Sequence, residues 1–134
     1  MSSEAITKND LMAILNEVLP SSAAPQEVAY SITQTGGNSA LDTDQTVFVK
    51  CGHVVSFFIR VVTNGTTASG GDIFTGTMNT SSLIPKVTGG GVGYYAGNSR
   101  VCVINTSGTI IIRNTGTSIG ANIGNTVYGT YIVD

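Results

Sequence analysis

The side chains best suited to binding chemistry follow a glycine-rich run in the second half of the chain. Tyr94 and Tyr95 are adjacent, and Asn98, Ser99 and Arg100 come shortly after them. A tyrosine ring can stack on the apolar C–H face of a sugar, while amide and guanidinium groups hydrogen-bond to its hydroxyls. The sequence therefore predicts a carbohydrate-binding set: Tyr94, Tyr95, Asn98 and Arg100. The alternative is that these side chains serve only in packing, because adjacent strand residues point to opposite faces.

Catalytic and metal-binding motifs are weak in comparison. His53 is the only histidine, so no paired histidines exist to hold zinc. Asp42 and Asp44 could contribute to a calcium loop, but the glycine and distant glutamate of an EF-hand are missing. The run GVGYYA over 91–96 matches a dinucleotide fingerprint in letters, yet that motif must open a helix in a parallel βαβ unit. We therefore expect neither enzymatic activity, nor a metal, nor a cofactor.

Composition limits the classes of partner. The chain has 134 residues, of which 41% are apolar and 10% are charged, as expected for one folded domain. A net charge of −2 provides no cationic field for nucleic acid. The most apolar stretch, 54–62, is interrupted by Arg60 and is far shorter than the roughly 20 residues of a membrane helix. We expect no membrane segment and no secretory signal. For Cys51 and Cys102 we expect two small buried hydrophobes, with one disulfide as the alternative.

The first twenty residues have the pattern of an amphipathic helix. Thr7 and Asp10 have the spacing of a capping box. Apolar residues then recur at spacings of three and four until Pro20: Leu11, Ile14, Leu15, Val18 and Leu19. We predict an oligomerisation helix over 1–20 and a linker over 21–26. Because so short a helix is marginal alone in water, its apolar side must pack either on its own domain or on other copies.

Pairing between copies would use one of two heptad registers. In the first, Leu11 and Val18 occupy position a and Ile14 occupies position d, which favours three or more strands. In the second, Leu11 and Val18 occupy position d and Leu15 occupies position a. The sequence leaves both registers open.

From residue 27 onward the apolar pattern has the two-residue period of β-strands. Strands are predicted at 27–34, 46–50, 53–63, 72–78, 92–96, 100–105, 108–113 and 126–133. The predicted fold of 27–134 is an all-β, jelly-roll-like antiparallel sandwich or barrel that forms a head domain. Asn64-Gly65 predicts a two-residue hairpin, and Asn105 to Gly108 a slightly longer one. The glycines of 89–93 are interpreted as a flexible surface loop.

The strand predicted at 53–63 is apolar on both faces. One face is wholly apolar and should point to the core: Val55, Phe57, Ile59 and Val61. The other face includes Phe58 and Arg60, and in a lone domain it should be mostly polar. Either this second face lies in a subunit interface, with Phe58 and Arg60 as oligomerisation residues, or the strand is buried on both sides within one chain.

The order of these segments resembles a viral family. VFVKCGHVVSFFIRVV, SSLIPKVTGGGVGYYAGNSRVCVINTSGTIIIRNTG and the closing VYGTYIV, over 46–133, are similar to the terminal head domain of phage tail-fibre, baseplate and head-fibre proteins of Gram-positive hosts. The resemblance implies a homotrimer in the virion, with an N-terminal stem and a β-sandwich head that recognises host-surface saccharide. It carries no specific binding residues onto this chain.

The predicted function is therefore a homotrimeric phage fibre or knob that attaches to host carbohydrate through three equivalent weak sites. Other virion proteins would be its further partners. The alternative is a structural capsid decoration or baseplate component that binds no saccharide.

Overall fold

Ten antiparallel strands form the sheet in the computed structural model, which describes residues 7–10, 24–95 and 98–134 except for the side chain of Tyr95. The strands β1 to β10 are Gln26–Glu27, Ile32–Gly36, Ser39–Leu41, Val47–Cys51, Val54–Thr63, Asp72–Met78, Gly89–Tyr95, Asn98–Ile104, Thr109–Asn114 and Gly124–Ile132. Their order is β1-β4-β5-β10-β7-β8-β9-β6-β2, and β3 also pairs with β5. A 3-10 turn spans Ser81–Leu83. The predicted all-β class is confirmed.

The sheet curls because its two edge strands, β1 and β2, are consecutive in the chain. β1 pairs with β4 at one end and β2 pairs with β6 at the other, and only residues 28–31 join β1 to β2. Even a fully extended chain spans at most roughly 20 Å from Glu27 to Ile32, so the two ends must lie close together. Gly37, with a φ of 95°, then turns β2 into β3, which pairs with β5.

The single strand predicted at 27–34 is wrong for the same reason. The chain makes its sheet change at 28–31, where the Val28 amide donates to the carbonyl of Phe48 at 2.9 Å and the ring of Tyr30 lies 5.1 Å from that of Phe48. Alternation of apolar residues continues through this stretch because Val28, Tyr30 and Ile32 all face the core. The two-residue alternation of apolar residues therefore predicted the buried side correctly, but it did not predict that the chain changes its partner strand.

The concave side of the sheet carries the core. The inward residues of β5 are buried as predicted: Val55, Phe57, Ile59 and Val61. Isoleucines of β8 and β9 belong to the same core cluster: Ile104, Ile110 and Ile112. The Phe57 ring lies 5.9 Å from that of Tyr131, whose hydroxyl donates a 2.7 Å hydrogen bond to the carbonyl of Leu83.

The hairpin predicted at Asn105 is confirmed. β8 and β9 pair directly, and Gly108 has a φ of 86°, a conformation that favours glycine. The Asn105 side-chain oxygen accepts hydrogen bonds from the amides of Ser107 and Thr109, both at 3.0 Å. A second tight hairpin, in which Gly52 and His53 join β4 to β5, was not predicted from the sequence.

The hairpin predicted at Asn64-Gly65 is wrong. The flanking strands find other partners: β5 pairs with β3, β4 and β10, and β6 pairs with β2 and β9. Neither of these two described residues has the positive φ that the predicted turn requires. Instead the Asn64 amide donates to the carbonyl of Asn38 at 2.9 Å, so this dipeptide begins a crossover.

The glycine run predicted as a loop is a strand. β7 begins at Gly89 and lies in the middle of the sheet between β10 and β8. A Cβ on Gly91 or Gly93 would overlap a carbonyl oxygen of β10. The glycines therefore serve close strand approach here, and their abundance was misinterpreted as flexibility.

The two cysteines differ in burial. Cys102 is buried as predicted, but Cys51 at the end of β4 is exposed, and no disulfide joins them. The expectation of two buried thiols is therefore half wrong, because Cys51 precedes the tight Gly52 turn at the rim of the sheet.

Burial of Cys102 predicts that the protein loses folding stability at alkaline pH. Desolvation raises the pKa of its thiol from 9.0 to about 12. The folded protein keeps this proton at pH 10 to 11, whereas the unfolded chain releases it. Stability from this group is thus complete below pH about 9 and is lost as the pH rises towards 12, at up to about 1.4 kcal/mol per pH unit.

We expect Cys102→Val to flatten this dependence in urea unfolding measured between pH 8 and 11, with Cys51→Val as the control. Equal slopes for the parent and Cys102→Val would contradict the prediction.

The N-terminal capping box has the predicted contacts. The Thr7 amide donates to the Asp10 carboxylate and the Asp10 amide donates to the Thr7 hydroxyl, both at 3.2 Å. Residues 8–10 are helical. The predicted seam residues lie outside the described residues, so the helix and its two registers stay predictions: Leu11, Ile14, Leu15 and Val18.

Candidate functional site

The predicted carbohydrate-binding set is divided between the two faces of the sheet. Tyr94 on β7 pairs with Ser99 on β8, whereas Gly93 pairs with Arg100. Because side chains alternate between faces, Tyr94 points outward and Arg100 points into the core. Tyr94 is accordingly 73% exposed, and Arg100 is 1% exposed.

Arg100 is a core residue, which corrects its prediction as a binding residue. Its Nε donates a 2.7 Å hydrogen bond to the side-chain oxygen of Asn125, and its Nη1 donates to the carbonyl of Ser99 at 3.2 Å. Desolvation lowers the pKa of the guanidinium. The group therefore satisfies buried acceptors and does not reach the surface beside Tyr94.

Asn98 lies on the same side as Arg100 and is half-buried. Its side-chain oxygen accepts a 3.2 Å hydrogen bond from the Thr117 amide, and its side chain packs closely against Gly116. Asn98 thus fixes the loop after β9. The side chain of Tyr95 lies outside the described residues, so Tyr94 alone of the predicted set is placed on the outward face.

The outward face of the central strands carries apolar side chains in two groups, with the exposed pair Ser56 and Thr130 between them. Tyr128 of β10 pairs with Phe58 of β5 on one side and with Val92 of β7 on the other, and Ile132 pairs with Val54. We call this area the assembly surface. Its members are exposed: Val54, Phe58, Val87, Val92, Tyr128 and Ile132. Among the described residues, nothing buries this face of β5 at Val54, Ser56 and Phe58.

Arg60, the other predicted oligomerisation residue, is satisfied within its own chain. Its guanidinium forms an ion pair with Asp42 and lies over Gly124, where no side chain intervenes. Its backbone amide donates to the Thr46 hydroxyl at 3.1 Å. Phe58 is 41% exposed and remains available on the same strand. Arg60 is thus paired with Asp42 of its own chain, whereas Phe58, two residues away on the same strand, belongs to the assembly surface.

Beyond the assembly surface, a shallow groove runs over strands β8 and β9. It has a volume of about 220 Å³, and its lining residues are Val101, Val103, Ile111, Arg113 and Thr115. We call it the β8–β9 groove. The apolar members come from alternate positions of the two strands of the Asn105 hairpin.

Polar groups border this groove in two cross-strand rows. In the first row Tyr94 lies opposite Ser99, whose hydroxyl is 2.7 Å from that of Thr115. In the second row Arg113 pairs with Asp72, with 3.2 Å between Nε and the carboxylate. Directly opposed side chains in a sheet have Cβ atoms about 5 Å apart, so Tyr94 stands within reach of the groove. Arg113, Thr115 and Ile111 were not predicted from the sequence as binding residues.

The other side chains considered for metal binding or catalysis do not form a cluster among the described residues. Within the described ranges no three side chains of His, Cys, Asp or Glu type lie close enough to hold a metal ion. His53 is exposed in the β4–β5 turn, and Asp42 is engaged with Arg60. No helix among the described residues is long and apolar enough to cross a membrane.

Comparisons with known proteins add no family. A scan against known protein families finds no match to this sequence, and a search of curated proteins finds none either.

Proposed function

We propose that this chain is the head of a homotrimeric phage fibre or knob protein, and that the trimer attaches to carbohydrate on the host surface. The observation that carries the proposal is the assembly surface. Exposed apolar residues are common singly, but here six share one sheet face across three strands and the segment before β7.

Sheet geometry supports self-association over a solitary domain. The solvent-facing side of an antiparallel sheet normally carries polar residues. Strands β2 and β6 follow this rule with four threonines: Thr33, Thr35, Thr75 and Thr77. β5 and β10 break this rule at their centres. The predicted N-terminal helix would bring copies together, and the head contact would then add to an already raised effective concentration.

Light scattering on the purified chain tests the assembly. We expect a mass of three chains for the parent and a reduced mass at low micromolar concentration for Phe58→Ser/Tyr128→Ser, because these two rings face one another across β5 and β10. Tyr94→Ser is the matched control, since it removes an exposed ring from the same face outside the assembly surface. A parent monomer would contradict the proposal, as would equal dissociation of both variants.

A structural capsid decoration or baseplate component is the second candidate function. It is favoured by the burial of Arg100 and the internal role of Asn98, which remove two of the polar groups predicted to hold a sugar. Binding of the oligomer to host cell-wall preparations separates the two functions. Retention on the cell wall supports attachment, and an oligomer that binds no host envelope fraction supports the structural role.

A further inference from the structure

We propose that the β8–β9 groove is the carbohydrate site, and that it takes an uncharged sugar unit bound between Tyr94 and the Arg113–Asp72 pair. The inference rests on the proposed attachment function and replaces the binding set predicted from the sequence. It keeps the chemistry of that prediction, an aromatic ring beside a guanidinium and hydroxyl groups. It changes the residues, because the strand pairing brings Arg113, Thr115 and Ser99 to the face of Tyr94.

The groove offers a sugar both an apolar floor and an aromatic edge. Val101, Val103 and Ile111 form the floor, and the ring of Tyr94 extends into solvent at its border. Pyranose rings have one or two faces of C–H groups, which gain from contact with apolar and aromatic surface. The hydroxyl groups of the same ring then point sideways, towards the borders of the groove.

The polar border suits a neutral ligand over an anionic one. The Nε of Arg113 is held by Asp72, and the remaining guanidinium nitrogens have no partner among the described residues. The pair therefore presents donors and acceptors side by side, which matches the hydroxyl groups of a sugar. An anionic group would meet the Asp72 carboxylate at the same point, since the pair has no net charge.

The neighbouring hydroxyls provide the remaining contacts. Ser99 and Thr115 are exposed and hydrogen-bonded to one another, and the Thr115 hydroxyl also lies 2.9 Å from the Ser99 carbonyl. Such a pair is held in position while retaining lone pairs for a ligand hydroxyl. Tyr94, Ser99 and Arg113 lie on strands β7, β8 and β9, and Thr115 directly follows β9, so strand pairing positions most of the border and lowers the entropy cost of binding.

Heteronuclear NMR on the full chain tests the site. The probes are four neutral sugars, glucose, galactose, rhamnose and N-acetylglucosamine, and two anionic comparators, glucuronate and glucose 1-phosphate. We expect at least one neutral sugar to shift the amide resonances of Val101, Ile111 and Arg113. Shifts confined to other surfaces, shifts from the anionic probes alone, or no shift from any neutral sugar would each overturn the proposal.

Variants at the border give the second readout. We expect Arg113→Gln and Tyr94→Ala each to weaken binding of the active sugar about tenfold or more. Tyr94→Phe should retain binding within about twofold, because the ring is kept. Lys86→Gln is the matched charge control, since Lys86 forms another exposed ion pair, with Asp134, outside the groove. Equal loss in Lys86→Gln, or none in Arg113→Gln, would overturn the assignment.

The outcomes separate this inference from the proposed function. An oligomer that binds host cell wall but shows no groove shift refutes only the location of the site. A monomer that also fails to bind host cell wall refutes the attachment function itself.

Discussion

Replacement of Gly93 by alanine is expected to lower the free energy of unfolding by about 3 kcal/mol or more, which is a large fraction of the roughly 5–15 kcal/mol that stabilises an ordinary domain. The added Cβ would overlap the carbonyl oxygen of Thr126 in the neighbouring strand β10. Gly93 is paired with Arg100 of β8 and Thr126 with Arg60 of β5, so both backbones are held in place and no side-chain rotation can relieve the overlap. Urea unfolding monitored by circular dichroism measures the loss.

Gly120→Ala is the matched control for this prediction. A Cβ at Gly120 meets nothing within 4 Å, and its φ lies outside the left-handed region. Alanine there should be neutral or should stabilise by up to about 1 kcal/mol, because it restricts the unfolded chain. A Gly93→Ala variant as stable as Gly120→Ala would show that β7 and β10 can separate without cost, and the tight packing inferred for this part of the sheet would be wrong.

The sequence could predict the faces of strands but not their neighbours. Alternation from Val55 to Val61 identified the core face because burial acts on each residue separately. Strand pairing depends on residues distant in sequence: here the glycines of β7 permit its close approach to β10, and Gly37 adopts the positive φ of the turn between β2 and β3. Those glycines carry no apolar signal, so composition suggested a loop where the centre of the sheet lies.

Residue types typical of turns predicted a hairpin correctly only where local hydrogen bonds hold the turn. Asn105 determines its hairpin through its own side chain, which accepts from two amides of the turn. Asn64-Gly65 has the same favourable composition, but a tertiary hydrogen bond from Asn64 to Asn38 directs the chain into a crossover. A dipeptide preference of about 1 kcal/mol is too small to resist such pairing.

The candidate site could have been found in part from the predicted hairpin. Once Asn105 to Gly108 forms the turn, pairing of Ile104 with Ile110 places Val101 opposite Arg113. That register was accessible from sequence, and it indicates which arginine shares a face with the outward valines. The position of Tyr94 on that face was not accessible, because it depends on β7 entering beside β8.

The second large effect is expected at Asn125, the partner of the buried guanidinium. Asn125→Leu should cost about 3 kcal/mol of unfolding free energy, because it leaves the Nε of Arg100 buried without its acceptor. The Asn125 amide also loses its 2.9 Å hydrogen bond to the carbonyl of Ile123. Thermal and urea unfolding of the single variant measure this loss.

A double variant distinguishes a buried polar pair from two independent residues. Replacing both members by apolar residues, as Arg100→Met/Asn125→Leu, removes the unpaired charge and should be more stable than Asn125→Leu alone by about 1 kcal/mol or more. The single variant Arg100→Met completes the cycle, and if its loss and that of Asn125→Leu simply add in the double variant, the pair is not coupled. The same variant also tests the site, because groove binding that survives in a folded Arg100→Met/Asn125→Leu protein assigns recognition to Arg113 and leaves Arg100 to the core.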